Sequence, residues 1–207
     1  MIAIVDYKAG NLTSVRLALE DLGVPAVVTQ DPDAILAADR VIFPGVGAAG
    51  AAMDHLTQLG LVSPLRQALD QGKPFLGICL GTQVIFEHSE EDGGVACLGI
   101  VPGNVKRFNP SDPLCKIPQM GWNTAEIRRS HPILEDIEDQ SEFYFVHSYY
   151  PAPADGAHVV AETEYADARF ASVIGRDNLV ATQFHPERSG RIGLALLANF
   201  SRWDGTC

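Results

Sequence analysis

Cys79 and His185 stand in the two segments of this chain best suited to covalent chemistry. Cys79 sits inside Gly77-Ile78-Cys79-Leu80-Gly81, directly after the apolar run Pro74-Phe75-Leu76. This is a Gly-x-nucleophile-x-Gly pattern. In such a pattern a strand turns sharply into a helix and lifts the turn residue's side chain out at the C-terminal edge of a sheet. Glycines two before and two after keep neighbouring Cβ atoms out of the crowded turn. His185 is followed by Pro186 and Glu187. In an extended segment a spacing of two puts both side chains on one face. One imidazole nitrogen could then meet the thiol while the carboxylate holds the other, giving a nucleophile, a base and an orienter. The implied chemistry is attack of a cysteine on a carbonyl carbon.

The elements that must position these groups are legible in outline. Phe75 to Ile78 is a short buried strand, and Leu80 to His88 carries a rough helical stripe through Leu80, Val84 and Ile85. Cys79 then stands at a helix N-terminus, where N–H groups and the dipole favour thiolate over thiol. Leu179 to Phe184 (LVATQF) is an apolar run, and Pro186, which cannot donate a ladder bond, ends it. Upstream, strands at 2–6, 26–29 and 40–43 alternate with helices at 12–22, 32–38, 49–58 and 63–71. The alternation predicts an α/β fold with a mainly parallel central sheet flanked by helices. After about Gly93 strands and turns dominate until a helix at 192–203. That predicts additional antiparallel strands in the C-terminal half, within one domain spanning 1–207. Ser89 to Gly94 (SEEDGG) reads as a solvated acidic loop.

Composition narrows the class. A chain of 207 residues, 46% hydrophobic and 20% charged, can bury one substantial core. A formal charge of −11 argues against nucleic acid and anionic membrane surfaces. No stretch is long and apolar enough to span a bilayer, and the N-terminus reads as a first strand, not a leader. Cysteines 79, 97, 115 and 207 show no C-x-x-C and no zinc spacing. The expectation is a cytoplasmic, reduced protein without metal or cofactor.

Six segments together resemble one family: MIAIVDYKAGN at the start, FPGVGAAGAAM (43–53), GICLGTQ (77–83), PQMGWN (118–123), FYFVHSYY (143–150) and QFHPERS (183–189). The chain resembles the class I (triad) glutamine amidotransferases, from end to end. Within them it is most similar to the glutaminase subunits of imidazole glycerol phosphate synthase, in histidine biosynthesis. The resemblance implies a catalytic triad of Cys79, His185 and Glu187 and an oxyanion hole from Leu80 and the loop at Val46 and Gly47. It implies that Gly47, Gln83, His147, Ser148 and Tyr149 bind L-glutamine. It also implies a heterodimer with a cyclase subunit, contacted through Asn11, Trp122, Asn123 and Arg188. Departures from the family pattern are Lys8 for glycine, Ala49 for an aromatic, Thr82 for methionine or another apolar residue, and Arg188 for lysine. The smaller Ala49 and Thr82 imply a looser loop and elbow.

Gly45-Val46-Gly47-Ala48-Ala49-Gly50 matches the dinucleotide-binding G-x-G-x-x-G. It follows the third strand, not the first, and the acidic residue expected about 20 positions on at the end of a second strand is absent: the nearest, Asp70, lies in a helical stretch. The resemblance instead implies that this loop lies over the nucleophile and that its backbone helps bind substrate and oxyanion. Two other readings stay open: the glutaminase of another amidotransferase, such as pyridoxal phosphate synthase, and a nonenzymatic scaffold on the same fold.

Overall fold

The computed structural model describes residues 1–8 and 12–207. In chain order the elements are β1 (Ile2–Val5), α1 (Leu12–Asp21), β2 (Ala26–Thr29), α2 (Pro32–Ala37), β3 (Arg40–Gly45), α3 (Ala49–Gln58), α4 (Val62–Asp70), β4 (Phe75–Cys79) and α5 (Leu80–Val84). There follow β5 (His88–Ser89), β6 (Val95–Ala96), β7 (Gly103–Arg107), β8 (Gln119–Ile127), β9 (Ser141–His147), β10 (Tyr149–Pro153), β11 (Val159–Tyr165), β12 (Ala168–Arg176), β13 (Leu179–Thr182) and α6 (Gly190–Arg202).

Nine strands form one sheet in the order β2-β1-β3-β4-β13-β12-β11-β8-β9. The pairs from β2 to β13 are parallel, and those from β13 to β9 are antiparallel. A second sheet, β10-β7-β5-β6, lies beside it. The fold is thus α/β, with a mainly parallel centre and an antiparallel flank. No described helix is long and apolar enough to cross a membrane.

The apolar pattern explains the layers. All four residues of β1 are buried, as a strand covered on both faces requires. Ala3 and Val5 face one core with α2, α3 and α4, through Ile35, Leu56 and Leu65. Ile2 and Ile4 face the other core with α1 and α6, through Val15, Leu19, Leu196 and Phe200. In α6 the buried set Gly193, Leu196, Leu197 and Phe200 recurs at helical spacing.

Two local expectations are corrected. The helix after Cys79 ends at Val84, four residues short of the predicted His88. The carbonyls of Val84, Ile85, Phe86 and Glu87 accept N–H groups from the 97–101 segment, so tertiary bonds replace the next helical turn. The acidic stretch 89–94 is also not simply solvated. Glu91 is half-buried, and its carboxylate accepts the Ala49 N–H at 2.7 Å. It caps α3, whose own N-cap residue, Ala48, has no side-chain acceptor.

Candidate active site

The reactive groups gather at the C-terminal ends of β3, β4 and β13. Cys79 ends β4 with φ 53° and ψ −107°. A non-glycine residue there is held by its surroundings, as in a strained nucleophile elbow. The flanking glycines are required by close approach. A Cβ on Gly81 would lie 1.8 Å from the Phe43 carbonyl oxygen, and one on Gly77 would lie 3.0 Å from the Ala181 Cβ. Cys79 is 6% exposed, and its sulfur lies 3.9 Å from the Val146 carbonyl oxygen.

His185 reaches the sulfur from β13, but not through an extended strand. β13 stops at Thr182, and residues 186–188 form a single 3-10 turn. The Thr182 hydroxyl donates to the Phe184 carbonyl, and the Arg188 N–H closes onto the His185 carbonyl. The predicted pairing nevertheless forms: Glu187 Oε1 stands 2.8 Å from His185 Nδ1, with both side chains almost wholly buried. The turn is fastened to β9. His185 N–H donates to the Tyr144 carbonyl, Tyr144 N–H donates to Ser189 Oγ, and Ser189 Oγ donates to the His185 carbonyl at 2.6 Å. Phe184 stacks on Phe143 with centroids 3.9 Å apart.

Burial alone would pull the His185 ring down. The negative charge of Cys79, and then Glu187, outweigh it and push the ring up to about 10. With Nδ1 held by Glu187, Nε2 is the atom left for the sulfur. It is buried and closes no hydrogen bond of good geometry in this state. The arrangement can therefore supply a cysteine nucleophile with an imidazolium beside it.

The other predicted residues fall into place unevenly. Leu80 is buried and opens α5, so its N–H stands next to the nucleophile. Val46 is exposed, and Gly47 has φ 104°, a conformation that favours glycine. Gln83 Nε2 donates to the Tyr149 carbonyl at 2.8 Å and to Gln183 Oε1 at 3.0 Å. The His147 ring is buried among Phe108, Phe145 and Phe170, with Nδ1 2.8 Å from the Tyr149 carbonyl and Nε2 3.0 Å from Gln119. Burial, then the His185 charge, pushes this ring down to about 4, so it is a neutral strut at neutral pH. Ser148 is half-buried, and its carbonyl accepts the Phe108 N–H.

Trp122 is 55% exposed and meets Tyr144 edge-on, while the Arg188 guanidinium lies 4.5 Å from the Tyr144 ring centroid. Asn123 is not part of that group. It alternates to the other face of β8, and its amide donates to the Glu164 carbonyl. Asn11 lies outside the described residues. Lys8 holds φ 65°, in the left-handed region. Ala49 and Thr82 are both fully buried; the Ala49 N–H donates to Glu91, and the Thr82 hydroxyl donates to the Thr182 carbonyl at 2.6 Å. The carboxylate of Glu91 also takes the N–H at the start of α3 where a phosphate would have to bind.

Sequence reasoning missed Gln183, Ser189 and Glu91. Gln183 carried a signal, being a polar residue in an apolar run. Ser189 and Glu91 act through partners 45 and 42 residues away, which no local pattern displays.

Known proteins share this chain's sequence and fold. The glutamine amidotransferase class-I family matches residues 3–202. The imidazole glycerol phosphate synthase subunit HisH of Nitratidesulfovibrio vulgaris is 51% identical over 209 residues, covering 98% of this chain and 96% of its own. The HisH subunit of Methylococcus capsulatus is 50% identical over 212 residues, with 98% and 96% covered. The chain belongs to the class-I glutamine amidotransferases, in the HisH family. The fold of this amidotransferase is shared more widely. PurLQS from Thermotoga maritima superposes with a TM-score of 0.70 at 17% identity, covering 96% of each chain. The glutaminase domain of Trypanosoma brucei CTPS with bound acivicin gives 0.64 at 16% identity, covering 100% and 97%.

Proposed function

We propose that this amidotransferase hydrolyses L-glutamine to glutamate and ammonia through a thioester on Cys79. It passes the ammonia to a cyclase subunit. There a phosphoribosyl-formimino-type intermediate becomes imidazole glycerol phosphate and an aminoimidazole carboxamide ribonucleotide, in the cytoplasm. The observation that carries this reading is the buried His185–Glu187 pair, whose ring is charged up by Cys79 at the elbow.

The proposed steps use the groups gathered at the elbow. Glutamine lies over the elbow, held by Gly47, Gln83, Ser148, Tyr149 and the His147 backbone. The Cys79 thiolate attacks the side-chain amide carbon. N–H groups of Leu80 and of the Val46–Gly47 loop receive the oxyanion, where charge develops in the transition state. His185 gives its proton to the departing nitrogen, and ammonia leaves a thioester. The sulfur now carries no negative charge, so the largest influence holding a proton on His185 is gone. The neutral ring then takes a proton from water, which attacks the thioester and releases glutamate and the thiolate. Trp122, Tyr144 and Arg188 face the cyclase.

A glutamine analogue bearing a diazoketone tests this directly. Peptide mapping should find one adduct, on Cys79, blocked by excess L-glutamine. An adduct on Cys97, Cys115 or Cys207 alone would contradict it, as would failure of the chain to co-purify with the cyclase.

A further inference from the structure

We infer that Gln183 is a further catalytic residue, whose amide N–H donates to the Cys79 sulfur, and that Gln83 is the positioning residue that turns it the right way. The inference rests on the reading of Cys79 as the nucleophile. Gln183 is fully buried, between the end of β13 and His185. Its Nε2 lies 3.7 Å from Cys79 Sγ, and its Oε1 accepts from Gln83 at 3.0 Å.

The orientation of the amide follows from what each atom can do. An amide NH2 only donates, and an amide oxygen only accepts. The Tyr149 backbone carbonyl also only accepts, so Gln83 must turn its NH2 toward it, at 2.8 Å. The same NH2 meets Gln183, which must answer with its oxygen. The nitrogen of Gln183 is what remains for the sulfur. A fixed carbonyl two bonds away thereby decides which end of a buried amide faces the nucleophile.

The sulfur has a second neighbour with the opposite effect. The Val146 carbonyl, at 3.9 Å, accepts from a thiol and repels a thiolate. A donor favours the charged form of an acid and an acceptor the neutral form. α5 has only five residues, so little helix dipole acts on Cys79. Gln183 therefore joins His185 in offsetting Val146. It helps twice: when the thiolate forms, and when the thiolate is expelled from the thioester.

The test uses the amidotransferase bound to its cyclase. Gln183→Glu keeps the shape and the acceptor for Gln83 but replaces the donor with an acceptor. Gln183→Met removes the donor at similar volume. Iodoacetamide reports the sulfur's reactivity across pH, and ammonia-dependent synthesis reports an intact complex. The expected result is an alkylation profile moved to higher pH, with the variants slowed about tenfold on its acid limb, where the thiolate is the minor form. Glutaminase kcat falls by a similar factor with KM within about twofold of wild type. Unchanged alkylation profiles in a folded complex would overturn the inference even if kcat fell, because a packing defect alone does that. Should either variant fail to fold, the other decides. If the wild-type complex itself does not hydrolyse glutamine, the functional reading fails, while the alkylation profiles still judge the contact.

Discussion

In the parallel half of the sheet, backbone geometry fixes the site. Cys79 holds φ 53° because Gly77 and Gly81 let β4 and α5 crowd against Ala181 and Phe43. Past the end of β13, where the sheet turns antiparallel, side chains fix it. His185 is set by Glu187, by Ser189 and by its bonds to β9, and its 3-10 turn would be unremarkable without them. The proposed nucleophile is thus built into the fold's packing, and the proposed base is hung on it by a side-chain network. The two halves should therefore fail differently: damage to the first costs stability, and damage to the second costs activity.

The largest effect is expected at Gly81. A Cβ there would sit 1.8 Å from the Phe43 carbonyl oxygen, backbone against backbone, so neither side can yield cheaply. Gly81→Ala should destabilise by about 3 kcal/mol or more, read from chemical denaturation. A near-wild-type midpoint would show that the elbow is not built by packing.

Glu187→Gln should do the converse. It keeps the volume at a buried position and removes the charge that orients the ring. Glutaminase kcat should fall by about 10²–10⁴-fold, less than for Cys79→Ala, with the fold intact. Loss equal to that of Cys79→Ala, with substrate affinity unchanged, would give Glu187 a direct chemical role instead.

A smaller, pH-dependent effect sharpens the contrast. The folded state raises His185 from 6.5 to about 10. A raised value means that the stability the ring contributes is fully present below the unfolded value and is lost as pH rises through the folded one. The destabilisation caused by His185→Asn should therefore be larger at about pH 6 than at about pH 10.5. A deficit that is constant or grows with pH would mean that no charged ring is held there.

The same division governs what the sequence displayed. Elements of the parallel half follow from short-range periodicity, so β2 at Ala26–Thr29 and α3 at Ala49–Gln58 fall where predicted. The helix after Cys79 was over-extended because its last turn is undone by N–H groups of residues 97–101, which hydrophobic spacing cannot register. The His185–Glu187 contact was legible from residue types, yet its conformation was not: a 3-10 turn stands where an extended strand was expected. Lys8 is a related case. Its φ of 65° lies in the left-handed region that favours glycine, and no pattern in this chain alone announces it. Gln183, Ser189 and Glu91 owe their roles to partners far along the chain.

The central claim is that Cys79 serves ammonia release and nothing else. Its most direct measurement is synthesis by the complex with the cyclase when Cys79→Ala replaces the wild-type chain, with glutamine or with an ammonium salt as nitrogen source. The expected result is no glutamine-dependent product and ammonia-dependent product at the wild-type rate. Failure of ammonium to restore product in a folded complex would contradict the account, as would persistence of glutamine-dependent synthesis.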